Sequence, residues 1–544
     1  MLPDPGAAPT RTDAIVIGGG HNGLVCACDL AARGWSVRVL ERRSVLGGAA
    51  VTEEFAPGFR NSTASYTVSL LDPDVIRDLH LAEHGLRIVE RPFSNFVPLP
   101  DGRFLKLGGS LEETQREVAK FSSRDAERLP QYYAMLERAV TLLRTLLART
   151  PPNVGARGLA SLRDWIAGLR LGRQLAHVNL EDKRDLLALF ARSAGDLLDG
   201  WFESAALKAT LGFDSIVGNY ASPYAAGSAY VLLHHVFGGV NGKPGIWGHA
   251  LGGMGAITEA MATEARRRGV LLSVDAPVAH VLVEDGRAVG VRLEDGSEFF
   301  AGRVAANVTP TVLFEKLVGA EHLPAAFRAR IGQYRSGSGT LRMNVALSGL
   351  PDFSALPGTS AAPHHASGII LAPSLAYMER AWADAREFGW SREPVVEILI
   401  PSTVDPSLAP PGQHVASLFC QHFDPDLDAT RHPGGWDGAR EAAADAAIAT
   451  VTRFAPNFAS LIVARQIHTP LDLERKFGLT HGDIFHGVLA LDQLFSARPI
   501  LGYADYRTPL KGLYLCGAGA HPGGGVTGIP GRNAAREMLR DGRA

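Results

Sequence analysis

Three features of the 544-residue sequence predict an α/β chain with a mixed α+β part inserted into it. The apolar run Ala14-Ile15-Val16-Ile17 ends in Gly18-Gly19-Gly20 and leads through a helix-like stretch to a second strand ending at Glu41. Short strands punctuated by Asp-Gly turns fill residues 270–308. The last unit, from Gly512, runs from a strand through a glycine-dense loop into a helix.

Composition fits a globular chain. Hydrophobic residues make up 46% and charged residues 20%, and the mean hydropathy is +0.04. The balance of 54 Lys and Arg against 56 Asp and Glu leaves a net charge of −2, so no global field favours nucleic acid. Cys26, Cys28, Cys420 and Cys516 form no Cys-x-x-Cys pair, so electron chemistry has to come from a bound cofactor. No run of 18 apolar residues marks a membrane span, and residues 1–12 read as a flexible tail rather than a signal. A cytoplasmic protein, soluble or peripheral to a membrane, is expected. The 60 glycines, about 11% against an average near 7%, call for an explanation.

In chain order, residues 22–33 read as a helix closed by Gly34, and 36–40 as a strand. Residues 131–147 and 186–198 are Leu/Ala-rich helices. Residues 157–177 set Leu159, Leu162, Trp165, Ile166, Leu169 and Leu171 among Arg157, Arg163, Arg170 and Arg173. That pattern suits either a helix lying on a lipid surface or an ordinary amphipathic helix packed on the core. Residues 256–268 form a helix and 270–272 a strand. A β-meander follows in 278–283, 288–293 and 299–300, turning at Glu284-Asp285-Gly286 and Glu294-Asp295-Gly296, and leads to a strand at 304–308. Strands at 395–400 and 415–419, a loop-rich stretch at 351–367, a strand at 513–515 and a helix at 533–539 complete the reading.

Gly18-x-Gly20-x-x-Gly23 follows a strand and opens a helix, with Glu41 18 residues further on. Gly18 permits the tight turn, Gly20 lets backbone approach a pyrophosphate, and Gly23 lets helix and strand pack closely. The helix start at His21 and Asn22 offers N–H groups to phosphate, and Glu41 accepts from a ribose. This is the fingerprint of a Rossmann-like dinucleotide domain. FAD is favoured over NAD by Gly47-Gly48-Ala49-Ala50, which would let chain pass beneath the pyrophosphate and ribityl, with Arg42 beside the adenosine. Leu251-Gly252-Gly253-Met254-Gly255 follows a loop and is read as a structural turn, so no second nucleotide site is expected. The run from Cys516-Gly517 to Val526-Thr527 lets backbone lie against a flat ring, and the helix beyond it can direct N–H groups at a pyrimidine carbonyl.

These stretches, with 230–236, 473–479, Leu491-Asp492-Gln493-Leu494, Arg498-Pro499 and His521-Pro522-Gly523-Gly524-Gly525, resemble the phytoene desaturase-like FAD oxidoreductases, the carotenoid oxidoreductase family. The likeness covers about residues 13–541 and is nearest to a subgroup named for a pyridine nucleotide-disulphide oxidoreductase domain. That name fits poorly here, since the chain has neither a redox cysteine pair nor a second nucleotide fingerprint. The resemblance implies a discontinuous FAD-binding domain (13–90, 245–320 and 495–544), with a β-meander and a C-terminal return unit, and a substrate domain (91–244 and 321–494). It also implies that the Val278 backbone faces the adenine. Gly517-Ala518 stands where a related amine oxidase would carry Gly-Asp or Gly-Glu.

The function implied is removal of hydride from an apolar polyene- or lipid-like substrate, or its isomerisation, with oxygen or a quinone as acceptor. A flavin amine oxidase and a non-catalytic FAD-stabilised partner protein are the alternatives. His521, His235 and His234 are catalytic candidates by residue type, each with a structural role as the rival reading. Tyr66 suits either the substrate side or the core, and Cys516 a small apolar filler. No metal-ligand spacing is present, His364-His365 and His234-His235 being isolated pairs. Peripheral membrane contact and a homodimer are left open.

Overall fold

The computed structural model describes residues 11–153 and 161–542. Strand β1 (Arg11–Ile17) begins three residues before the hydrophobic run, inside the expected tail, because its first residues pair with Phe300 and Ala301. On its other side β1 pairs in parallel with β2 (Val37–Leu40), four fully buried residues. The strand Leu271–Ser273 lies outside β2, and Leu513–Leu515 runs parallel to the end of the strand Glu298–Ala306. Between β1 and β2 runs helix α1 (His21–Ala31).

The expected meander forms from Val278–Glu284, Arg287–Leu293 and Glu298–Ala306. Residues 299–300 and 304–308 are not two strands, however, but one nine-residue strand ending at Ala306. Its pairing with β1 keeps one register across Gly302, so the neighbouring strand overrides the weak strand preference of that glycine.

A second seven-stranded sheet has the order Ile462–His468, Thr340–Leu347, His414–Phe423, Trp390–Leu399, Gly368–Leu371, Asn95–Pro98 and Phe104–Leu107. The strands expected at 395–400 and 415–419 are longer than periodicity indicates. Ser417 and Gln421 sit inside the pairing, where Gln421 donates to the Ile216 and Ser338 carbonyls at 2.7 and 3.0 Å. Hydrogen bonding satisfies these buried polar groups and lets the strand continue.

Helices Ser123–Leu147, Ala205–Phe213 and Ser228–Val236 pack with this sheet around one apolar cluster. The helix read at 131–147 starts at Ser123, where Ser122 accepts from the Asp125 N–H at 3.1 Å, and it carries Pro130 in its interior. Residues 186–198 are two helices, Leu180–Ala191 and Ala194–Trp201, because Ser193 caps the second by accepting from the Asp196 N–H at 3.0 Å.

In helix Ser161–Ala176, Trp165 and Leu169 are 68% and 58% exposed and Ile166 is exposed beside them, so these side chains do not pack on the core. Arg157 and Leu159 lie outside the described residues. Among the described residues no helix is long and apolar enough to cross a membrane.

Candidate active site

The parallel strands β1 and Glu298–Ala306 end side by side, and the crevice beyond their carboxyl ends is where an open α/β sheet places a ligand. Gly18 and Asn307 meet there. Gly18 has φ +93, and a side chain on it would stand 2.8 Å from the Asn307 carbonyl oxygen. On Gly20 a Cβ would lie 2.9 Å from Asn307 Nδ2, and on Gly23 it would lie 2.2 Å from the Gly18 oxygen. Asn307 also crowds Gly517, whose Cβ would be 2.9 Å from its Oδ1. Sequence reasoning missed Asn307. Its position just past the end of a parallel strand was the available signal.

Glu41 is buried at the end of β2. Its Oε2 accepts from the Gly19 N–H at 2.7 Å and its Oε1 from the Arg43 N–H at 3.0 Å. Each oxygen keeps a further lone pair. The Glu41 carbonyl accepts from the Ala276 N–H at 2.9 Å, which brings the start of Val278–Glu284 beside it. Arg42 is exposed and donates to the Arg475 carbonyl at 3.0 Å. Gly47 donates its N–H to the Gly19 carbonyl at 2.9 Å, and Gly48 passes close to Gly20, its Cβ position being 3.3 Å from the Gly20 Cα.

No side chain caps α1 at its start, so its first N–H groups face the glycine cradle. Buried within that cradle, His21 Nε2 and Asn22 Oδ1 have no partner among the described residues. Burial pulls the His21 imidazole down to about 4, so it is neutral near pH 7.

A cavity of about 550 Å³ opens from the cradle. His21, Ala49, Ala518 and Val526 line it on that side, with Tyr66, Leu70, Leu136, Phe213, Leu232, His235 and Trp247 among its other walls. Val526 takes φ +59, and Thr527 Oγ1 accepts from the Ile529 N–H at 3.1 Å, fixing the turn into the helix Ile529–Asp541.

The three histidines singled out by residue type separate here. His235 lines the cavity, with Nδ1 2.8 Å from the Val231 carbonyl oxygen. His234 lies behind it against Phe485, ring centroids 5.2 Å apart. His521 contacts the Leu146 carbonyl through Nε2 at 3.1 Å and stacks edge-on against Phe495, and it is not part of the cavity lining. Burial lowers His235 and His521 to about 4 and His234 to about 3. His486, overlooked in the sequence, lines the cavity with Nδ1 unpartnered among the described residues. Cys516 is buried among apolar side chains.

Arg498 is fully buried behind this wall. It donates to the carbonyls of Phe485 at 2.7 Å, Ala518 at 2.9 and 3.2 Å, Gln493 at 3.2 Å and Gly487 at 3.3 Å. The donors of its planar fork thus tie the cavity wall 485–493 to the glycine-dense loop.

Asp214, the residue after helix Ala205–Phe213, lines the cavity and makes no side-chain hydrogen bond among the described residues. Burial, with the nearby Glu397 carboxyl, pushes it up to about 8. The folded chain therefore holds a proton that the unfolded chain releases near pH 4. Stability contributed by this site falls as pH rises from about 4 to about 8 and is level above that. Asp214→Asn is expected to raise the melting temperature relative to wild type at pH 8 and to match it at pH 4. Equal differences at both pH values would show that the site does not titrate in this window.

The cradle suits an extended FAD: three glycines whose side chains would fill it, an uncapped helix start, a buried carboxylate with lone pairs to spare and an unpartnered imidazole beside a cavity. Fold and site define a flavin-dependent oxidoreductase with FAD as cofactor. The chain belongs to the flavin containing amine oxidoreductase family, which its residues 23–340 match. It is 41% identical to pyridine nucleotide-disulfide oxidoreductase domain-containing protein 2 of Rattus norvegicus, over 98% of this chain and 94% of the relative. It is 26% identical to a component of the limonene dehydrogenase of Castellaniella defragrans, over 98% and 95% respectively. A putrescine oxidase solved with putrescine bound shares the fold, with a TM-score of 0.59 and 16% identity, covering 98% of this chain and 99% of that one.

Proposed function

We propose that the protein removes hydride from, or isomerises, an apolar polyene- or lipid-like substrate, with oxygen or a quinone as electron acceptor. The observation that carries this reading is the cavity of about 550 Å³ with mainly apolar walls, reached from the glycine cradle. The name of the limonene dehydrogenase relative, a protein acting on a terpene, supports it.

FAD supplies the hydride acceptor when bound. The residues proposed to hold it are Gly18, Gly20, His21, Asn22 and Gly23 at the phosphates, Glu41 and Arg42 with the Val278 backbone at the adenosine, Gly47, Gly48 and Ala49 beneath the ribityl, and Gly517, Val526 and Thr527 at the ring. The apolar walls exclude water and hold the chain of the substrate. Of the cavity groups able to exchange a proton, which also include Tyr66, His21, His486 and Asp214, His235 is the one among the histidine candidates that lines the cavity, and its neutral state leaves it free to accept one.

Mixing the oxidised holoenzyme anaerobically with carotenoid, terpene, quinol, fatty-acyl and amine compounds tests the reading. Bleaching of the flavin absorbance by a polyene or lipid-like compound, and not by amines, is the expected result. Bleaching by polyamines alone would replace it with C–N oxidation, the activity named in the family's description. A flavin that no compound bleaches and oxygen does not reoxidise would point to the non-catalytic partner instead.

The exposed Trp165, Ile166 and Leu169 support contact with a membrane surface, from which an apolar substrate is delivered. The protein is then expected to pellet with phosphatidylcholine vesicles, and Trp165→Asp with Leu169→Asp to leave it in the supernatant. Failure of the wild type to pellet would remove this part of the reading.

A further inference from the structure

One wall of the cavity is not apolar. Glu397 lies on the strand Trp390–Leu399 and Arg91 lies just before the strand Asn95–Pro98, and both line the cavity beside Tyr66. Tyr66 donates its hydroxyl to Glu397 Oε2 at 2.5 Å. The Tyr66 ring stacks on Phe419, at 5.4 Å between centroids, and the buried Arg342 guanidinium lies 4.2 Å from its centroid and 5.9 Å from that of Phe419.

Arg342 is satisfied within the protein, donating to the Ala64 and Leu418 carbonyls and to Ser417 Oγ at 2.9, 2.6 and 2.6 Å. Arg91 is not. Among the described residues its guanidinium makes one hydrogen bond, from Nη2 to Thr67 Oγ1 at 2.5 Å. Glu397 Oε1 likewise accepts no hydrogen bond from the described residues.

These two incomplete groups are neighbours. A methyl group placed on Gly368 would stand 2.9 Å from Glu397 Oε1 and 3.0 Å from Arg91 Nη1, yet the two form no direct ion pair within 4.0 Å. The gap is therefore wider than an ion pair and no wider than two hydrogen bonds end to end. A single oxygen atom standing clear of the Gly368 Cα is of the size to bridge it.

Arg91 can only donate, and Glu397 Oε1 is left to accept. The atom that satisfies both is a hydroxyl oxygen, which accepts from Arg91 and donates to Glu397. A hydrocarbon filling the cavity would displace water and leave a buried guanidinium and a buried carboxyl oxygen unpaired, which is costly. An ammonium would meet Arg91 as a like charge.

We propose that Arg91 and Glu397 form a hydroxyl anchor, so that the substrate of this cavity is an apolar chain carrying an alcohol group rather than a pure hydrocarbon or an amine. The proposal rests on the apolar-substrate reading above and narrows it. Tyr66 does not compete for the bridging position, being engaged with the other Glu397 oxygen.

Equilibrium dialysis of the FAD-loaded enzyme against three compounds with one fifteen-carbon skeleton, farnesol, farnesene and farnesylamine, tests it. Farnesol is expected to bind on the order of tenfold to a hundredfold more tightly than either of the others, as for a hydrogen bond to a charged group. Arg91→Met and Glu397→Gln, checked for retained flavin, are each expected to weaken farnesol and leave farnesene unchanged. Farnesene binding as tightly as farnesol to the wild-type enzyme would show that a fixed water fills the gap, and would overturn the anchor without any variant being needed. Tighter binding of farnesylamine would overturn it in favour of an amine site.

The anchor and the proposed reaction fail separately. Preferred binding of farnesol with no flavin bleaching by any compound would leave the anchor standing and remove the reaction. Bleaching by hydrocarbons with no preference for the alcohol would do the reverse.

Discussion

Arg498→Met is expected to destabilise the protein by several kcal/mol, at about 1–3 kcal/mol for a buried acceptor left without its donor. Methionine fills most of the arginine's length but carries no donor. The carbonyls of Phe485, Gly487, Gln493 and Ala518 would then lie buried without their partner. Those carbonyls come from two separate stretches, the cavity wall at 485–493 and the glycine-dense loop at 517–527. Their loss of register should show first as release of FAD and only then as unfolding. A lowered melting midpoint with flavin fluorescence appearing ahead of the main transition is the expected trace. Coincident transitions with an unchanged midpoint would mean that the loop holds itself. Arg498→Lys should recover little, because one ammonium cannot reach carbonyls spread across a planar fork.

Gly23→Ala is the second large effect. The residue sits in α1 with ordinary helical geometry, so backbone conformation is no obstacle. The obstacle is distance: the added methyl would lie 2.2 Å from the Gly18 carbonyl oxygen and 3.0 Å from Asn307 Nδ2. The first of these is backbone and cannot rotate away. Helix α1 would have to move off β1, carrying its first N–H groups away from the place proposed for the FAD phosphates. With overpacking of this kind costing about 1–3 kcal/mol, FAD affinity is expected to drop by up to roughly a hundredfold. Purified variant should be nearly colourless and should regain colour only in excess FAD. A variant that retains full flavin would show that helix and strand are not in the contact described.

Both effects concern residues whose importance the sequence marks in different degrees. Gly23 stands in a spaced glycine pattern between a strand and a helix, and that pattern has a local cause: a tight turn and a close helix are set by residues a few positions apart. The strands β1 and β2, the Asp-Gly turns of the meander and the start of α1 were legible for the same reason. The glycine excess has addresses in the turn 18–23, the pair 47–48 and the run 517–528, where backbones approach each other more closely than any side chain allows. The unbroken strand across Gly302 was not legible, because the pull of a neighbouring strand depends on a partner elsewhere in the chain, whereas the break at Ser193 rests on a local cap to Asp196 that the helical periodicity of 186–198 masked.

The site divides along the same line. Glycines, Glu41 and the helix start belong to one continuous stretch, so the sequence alone determined a flavin cradle, its place at the head of a parallel sheet and the class of chemistry. Arg91, Asp214, Glu397 and Arg498 come from four distant segments and carry no spacing that links them. Only the tertiary structure decided that His235 and His486 face the cavity while His521 is held against the Leu146 carbonyl, and that the Arg91 guanidinium and the Glu397 carboxyl come together beside Gly368 in the polar part of the cavity lining. The physical reason is that phosphate recognition is built mainly from backbone, whose geometry neighbouring residues fix, whereas substrate recognition is built from side chains that converge only when two sheets and a helical layer have packed around the same space.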